Sequence, residues 1–150
     1  MKKVKSPLHV VAVLLAILLA TSDAMADQFK DIGDAVVHYN AVTTDFFDPH
    51  IAKLYGIKRS KNRALLTITV LKKRMGLASQ PIKANIQATA VNLSNQITDL
   101  KMREIADGGA IYYIAEFPVA NKETFDFTVN VKPEVGRENT VKFRKQFFTN

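Results

Sequence analysis

Apolar and polar residues alternate with a period of two along most of the chain from residue 35 onward, and the pattern predicts one strand after another. In 64–71, Ala64, Leu66, Ile68 and Val70 share one face while Thr67 and Thr69 lie on the other. Ile82, Ala84, Ile86, Ala88 and Ala90 alternate with Lys83, Asn85, Gln87 and Thr89. Phe125, Phe127, Val129 and Val131 alternate with Asp126, Thr128, Asn130 and Lys132; after a turn at 133–136, Val141, Phe143 and Phe147 return on one parity. Residues 35–44 read as a further strand containing His38-Tyr39-Asn40-Ala41, behind a polar lead-in over 27–33. Residues 96–105 read as one weaker strand carrying Leu100 and Met102. Asp107-Gly108-Gly109 then turns the chain into the apolar run 110–117, so these two strands should form a hairpin. Tyr112 and Tyr113 point to opposite faces, and at most one of them can be core. At Val91 and Leu93 the apolar parity flips, which predicts a bulge or corner.

One segment departs from the period of two. Asp48-Pro49 reads as an N-cap followed by proline at the first helical position. Ile51, Leu54 and Tyr55 follow at helical spacing, and Gly56 is placed to stop the turn, giving a helix of about two turns. About seven short strands, with turns at roughly ten-residue spacing, predict an all-β fold. The expected architecture is an immunoglobulin-like antiparallel β-sandwich with one short helix; a small barrel is the alternative. No repeat, low-complexity tract or linker divides residues 27–150.

The N-terminal stretch follows different rules. Lys2, Lys3 and Lys5 precede the apolar run Leu8–Ala20, and Ala24-Met25-Ala26 supplies a small-x-small cleavage pattern. The 13-residue run is shorter than the roughly 20 residues that span a bilayer as a helix. Residues 1–26 therefore read as a signal peptide cleaved between Ala26 and Asp27. That leaves 27–150 as a single β-sandwich domain with a periplasmic address and no stable membrane anchor. Cleavage removes three lysines and one aspartate, so the net charge of +7 falls to about +5. A moderately basic exported domain could meet an anionic envelope component or an acidic periplasmic protein, whereas nucleic acid is an implausible partner. With no cysteine in the chain, disulfides, thiolate metal sites, cysteine nucleophiles and a lipidated-cysteine anchor are all excluded.

Catalytic constellations are sparse. His38 and His50, the two histidines beyond the leader, fall on different elements without a two-histidine metal spacing, and His50 sits in the first helical turn. Ser60, Ser79 and Ser94 stand in polar loop contexts without a nucleophile elbow. Neither a catalytic set, a metal nor a cofactor is expected, and the balance leans away from an enzyme. Two weak candidates for ligand or partner binding remain. His38, Tyr39 and Asn40 form a polar-aromatic segment that could face Tyr55, although a buried Asn40 could equally brace the helical loop against the sandwich. Arg59 and Arg63 belong to a basic run whose plainer role is to solvate loops.

The stretches HYNAV, DPHIAKLYGIKRSKNRALLTITVLKK, AIYYIAEF and FDFTVNV together resemble an uncharacterised family of short proteobacterial periplasmic proteins, known only as a domain of unknown function. The resemblance covers nearly all of 27–150. It implies a β-sandwich and a periplasmic address, and it assigns no catalytic residues. Where that family more often shows Phe-Asn after HYNA, this chain has Val42-Thr43.

Three functions stay open on these grounds: a non-enzymatic binding or interaction module, a chaperone-like accessory factor offering an edge strand, and a small-ligand or hydrolytic site around His38, Tyr39, Asn40 and Tyr55. N-terminal sequencing of the protein recovered from its own cells is expected to start at Asp27; a chain that retains Met1 would contradict the export reading.

Overall fold

A computed structural model describes residues 28–149; the expected signal peptide and its Ala26–Asp27 junction lie outside the described residues. The described residues form ten strands: β1 (Phe29–Asp31), β2 (Ala35–Thr43), β3 (Arg63–Lys72), β4 (Gln80–Pro81), β5 (Ala84–Asn92), β6 (Ile97–Leu100), β7 (Arg103–Asp107), β8 (Ala110–Pro118), β9 (Thr124–Pro133) and β10 (Asn139–Gln146). Two antiparallel sheets result, as the alternation predicts. One runs β1-β2-β3-β8-β7 with β4 also paired to β3, and the other runs β10-β9-β5-β6. No described helix is long and apolar enough to cross a membrane.

The inward faces follow the sequence parity. Val37, Ala41, Ala64, Leu66, Ile68 and Val70 of the larger sheet are wholly buried against Ala90, Phe127, Val129 and Val131 of the smaller one. Aromatic rings bridge the two layers. Phe117 meets Phe125, Phe127 and Phe147 edge to face at 5.6–5.8 Å, and Phe143 stacks on both Phe127 and Tyr39 at 4.6 Å. The buried Tyr113 hydroxyl adds a polar tie, accepting the Ala84 N–H at 2.9 Å and donating to Glu104 at 3.2 Å. Its burial is the main cause that raises the Tyr113 pKa; the Ala84 N–H opposes the shift and the Glu104 carboxylate adds to it.

Two boundaries differ from the sequence expectation. Residues 96–105 form two strands, β6 and β7, in different sheets, with Lys101-Met102 crossing between them. Leu100 and Met102 both pack against the same core, so a chain that changes sheets keeps its inward parity and the alternation conceals the crossing. Residues 80–90 split for the same reason: β4 pairs with β3, β5 belongs to the other sheet, and Ile82 and Ala84 both pack inward. No bulge or corner falls at Val91, which stays in β5 and pairs with Ile97 and Asp126; the chain turns only at Leu93, which is exposed, with Asn92 Oδ1 accepting the Ser94 and Gln96 N–H groups. Between β7 and β8, Gly108 and Gly109 both take positive φ, the requirement of a tight two-residue hairpin.

Between β2 and β3 the chain leaves the sheet for a helical insert. A 3-10 turn (Thr44–Phe46) leads to helix α1 (Pro49–Leu54), where Asp48 accepts the His50 and Ile51 N–H groups as N-cap. Gly56, at φ +62°, ends it in the left-handed conformation open to glycine at no Cβ cost. The two ends of the insert are stapled by Thr44, whose wholly buried hydroxyl reaches the Lys58 carbonyl at 2.8 Å and accepts the Ser60 N–H at 2.9 Å.

Candidate functional site

The outward-facing residues of the larger sheet should meet water in a simple sandwich. Here they carry a second apolar cluster. Leu65 on β3 and Ile114 on β8 are buried beneath Ala52 and Ile57 of the helical insert, with Phe47, Tyr55 and Ile105 packed around them. Two pairs of adjacent apolar residues, Leu65-Leu66 and Ile114-Ala115, are the sequence trace of this arrangement, because a strand buried on both faces loses its alternation.

The insert does not cover the outer face completely. A cavity of about 360 Å³ lies between the insert and the sheet. Phe47, Ile51, Tyr55 and Ile57 contribute its insert side; Leu65 and Thr67 of β3, and Tyr112 and Ile114 of β8, contribute the central strands; Ile105 and Asp107 belong to the edge strand β7. Strand register carries the same face further. Asn40, Thr67, Ile114 and Arg103 form one row across four strands, and Ile105 stands opposite Tyr112.

Tyr55 is fastened to β7 at both ends. Its hydroxyl donates to Asp107 Oδ2 at 2.5 Å, and its carbonyl accepts from the Arg103 guanidinium at 2.5 Å. The hydrogen bond to the Asp107 carboxylate favours the protonated phenol and, with smaller contributions from desolvation and the carboxylate's charge, raises the Tyr55 pKa.

The residues singled out by sequence divide between several places. Tyr55 lies in the cavity wall. Asn40 is exposed on the same sheet face, opposite Thr67, so it is not the buried asparagine that would brace the insert. His38 is exposed on that face too, its ring 5.9 Å from Phe29. Tyr39, one residue on, points to the opposite face and stacks on Phe143 within the sandwich. Residues 38–40 and Tyr55 therefore do not converge on one pocket. Arg59 donates to the Asp45 carbonyl at 2.9 Å, and Arg63 pairs with the largely buried Glu116 at 3.3 Å; both hold the base of the insert. Glu116 also accepts the Lys58 N–H, so one carboxylate anchors two points of the returning chain. Among the described residues no three His, Asp or Glu side chains gather into a metal-ligating group. Pattern reading missed Ile105, Asp107 and Ile114, which reach the site only through the β7–β8 pairing; Tyr112 left a trace as the outward member of its pair.

The Tyr55–Asp107 bond makes a pH-dependent contribution with a definite sign. A phenol whose folded pKa exceeds the ordinary value of 10.0 contributes stability that is fully present below that value and is lost as pH rises through the folded one. Titration of the phenolate absorbance is expected to show a component above the ordinary tyrosine range that moves toward it in Asp107→Asn. Superimposable titrations of the two proteins would contradict the bond.

The fold and this geometry have counterparts among known proteins. The model of the family described as "Domain of unknown function (DUF4426)" matches residues 29–150. The crystal structure of a DUF4426 family protein from Pseudomonas aeruginosa PAO1 is 30% identical, with a TM-score of 0.72 over 85% of this chain and 98% of that chain. FetP from uropathogenic E. coli strain F11 is 12% identical, with a TM-score of 0.60 over 82% of this chain and 94% of its own. A copper-bound variant of FetP is 11% identical, with a TM-score of 0.61 over 83% and 97%. At those identities the likeness to FetP is one of fold alone. No curated protein matches the chain by sequence. With its family model spanning the whole sandwich, the chain belongs to the DUF4426 family.

Proposed function

We propose that this protein is a non-enzymatic periplasmic binding module and that the cavity between the helical insert and the outer face of the larger sheet is its ligand site. The cavity carries the proposal. Its volume of about 360 Å³ lies in the ~300–1,000 Å³ range of small-molecule sites, and its walls combine an apolar majority with a few polar groups, Thr67, Asp107 and the two tyrosine hydroxyls. Binding is favoured over catalysis because no histidine or serine stands among the lining residues to act with Asp107 as base or nucleophile. Tyr39 faces away from His38 and Asn40, which removes support from a hydrolytic site built on that segment.

The other readings have less behind them. An edge-strand chaperone needs a long, apolar, open edge, yet β1 has three residues and β6 four, β7 carries Arg103, Glu104 and Asp107, and β10 carries Lys142, Arg144 and Lys145. The two arginines singled out for an anionic partner, Arg59 and Arg63, are engaged with the Asp45 carbonyl and with Glu116, which weakens the case for a site built on them. Copper belongs to the FetP variant; the described residues of this chain show no matching His, Asp and Glu cluster, and no copper chemistry is assigned to it. The periplasmic address rests on the leader pattern of residues 1–26.

A neutral apolar fluorophore, N-phenyl-1-naphthylamine, tests the site. Saturable binding with one probe per chain is expected. Thr67→Phe, which places a ring between insert and sheet without touching the sandwich core, should weaken it at least about tenfold, a loss of roughly 1.4 kcal/mol, with the circular dichroism unchanged. Absent or non-saturable binding, or equal affinity in a folded Thr67→Phe protein, would overturn the proposal.

A further inference from the structure

We infer that the cavity selects an organic cation, an ammonium head joined to a compact apolar body; this rests on the cavity being the ligand site. Asp107 is the only formally charged residue among those lining it. Its carboxylate has no basic nitrogen within 4.0 Å among the described residues, where the ion pairs are Arg63–Glu116, Lys73–Asp31, Lys83–Glu104 and Arg144–Asp126. The neighbouring cation on the same face of β7, Arg103, donates instead to the Tyr55 carbonyl. Tyr55 occupies Asp107 Oδ2 through its hydroxyl and leaves Oδ1 without a hydrogen bond among the described residues.

The aromatic lining points the same way. Phe47, Tyr55 and Tyr112 all border the cavity, and among the described residues none of them stacks on another ring. Unstacked rings beside a carboxylate offer an ammonium group the attraction of the ring quadrupole together with a full opposite charge. An anionic head would meet the Asp107 carboxylate and the electron-rich ring faces instead. The remaining walls, Leu65, Ile105 and Ile114 among them, suit the apolar body.

Three probes with one eight-carbon chain and different heads test this in the mature protein: octyltrimethylammonium, 1-octanol and octanoate, compared by isothermal titration calorimetry below their aggregation concentrations. The ammonium is expected to bind at least about tenfold tighter than the alcohol, with octanoate weakest. Asp107→Asn keeps an acceptor for the Tyr55 hydroxyl while removing the charge, and should abolish the ammonium's advantage over the alcohol. Tyr112→Leu, which keeps an apolar side chain and removes a ring face, should lower ammonium affinity more than alcohol affinity. Alcohol or octanoate binding as tightly as the ammonium, or an advantage that persists in Asp107→Asn, would overturn the cation assignment and leave the cavity as a site. If none of the three binds, both the assignment and the site fall.

Discussion

Both faces of β3 must be buried, and the rest of the structure depends on how the chain meets that constraint. On the inner face Ala64, Leu66, Ile68 and Val70 meet the smaller sheet, the burial any sandwich requires. On the outer face Leu65, with Ile114 beside it on β8, would be left in water if β2 passed to β3 through a short hairpin. Burying a leucine or isoleucine side chain is worth about 1.5–3 kcal/mol, so leaving this pair exposed would forfeit an appreciable part of a marginal folding free energy. The detour over 44–62 supplies the cover. Its internal bonds, the Asp48 cap, the Thr44 staple and the Glu116 anchor, keep the lid in place where its few apolar contacts alone would hold it weakly.

Cover of this kind also creates the opening. The short helix and its flanking turns seal the Leu65 end of the outer face, while Thr67, Tyr112 and the β7 edge stay only partly covered. Tyr55 spans the boundary, tied to Arg103 and Asp107, and so fixes the height of the insert above β7. A cavity held open by hydrogen bonds across its rim is largely pre-formed, which spares a ligand the cost of ordering it. The sandwich explains none of this by itself, since one fold hosts many functions. In this chain one carboxylate and three rings are placed around an apolar space.

Much of the architecture was legible because the period of two survives wherever one face is buried, as at Phe125–Val131 and Ala64–Val70. The capped helix was legible through Asp48, Pro49 and Gly56, whose backbone demands are local. The sheet crossings at 82–83 and 101–102 were hidden, because both sheets turn their apolar faces to one core and a crossing leaves no break in parity. The site was harder still. Tyr55 was within reach as an aromatic beside a helix stop, but Asp107 reads as the first residue of a turn and only the β7–β8 register carries it to the cavity. Residues 38–40 read as one polar-aromatic run, whereas a strand sends neighbours to opposite faces: Tyr39 packs into the core, and His38 and Asn40 lie on the open face. Arg59 and Arg63 belong to a basic run that reads more plainly as loop solvation than as a binding surface, and both make internal ties, to the Asp45 carbonyl and to Glu116.

Methyl-labelled NMR with a bound apolar probe addresses the central claim most directly, that the insert covers β3 incompletely and leaves a ligand-sized space on the outer face. The expected result is nuclear Overhauser contact between N-phenyl-1-naphthylamine and the methyls of Ile57, Leu65, Ile105 and Ile114, with none to Leu66 or Ile68 beneath the sheet. Probe contacts to the sandwich core, or to neither set of methyls in a folded protein, would contradict it.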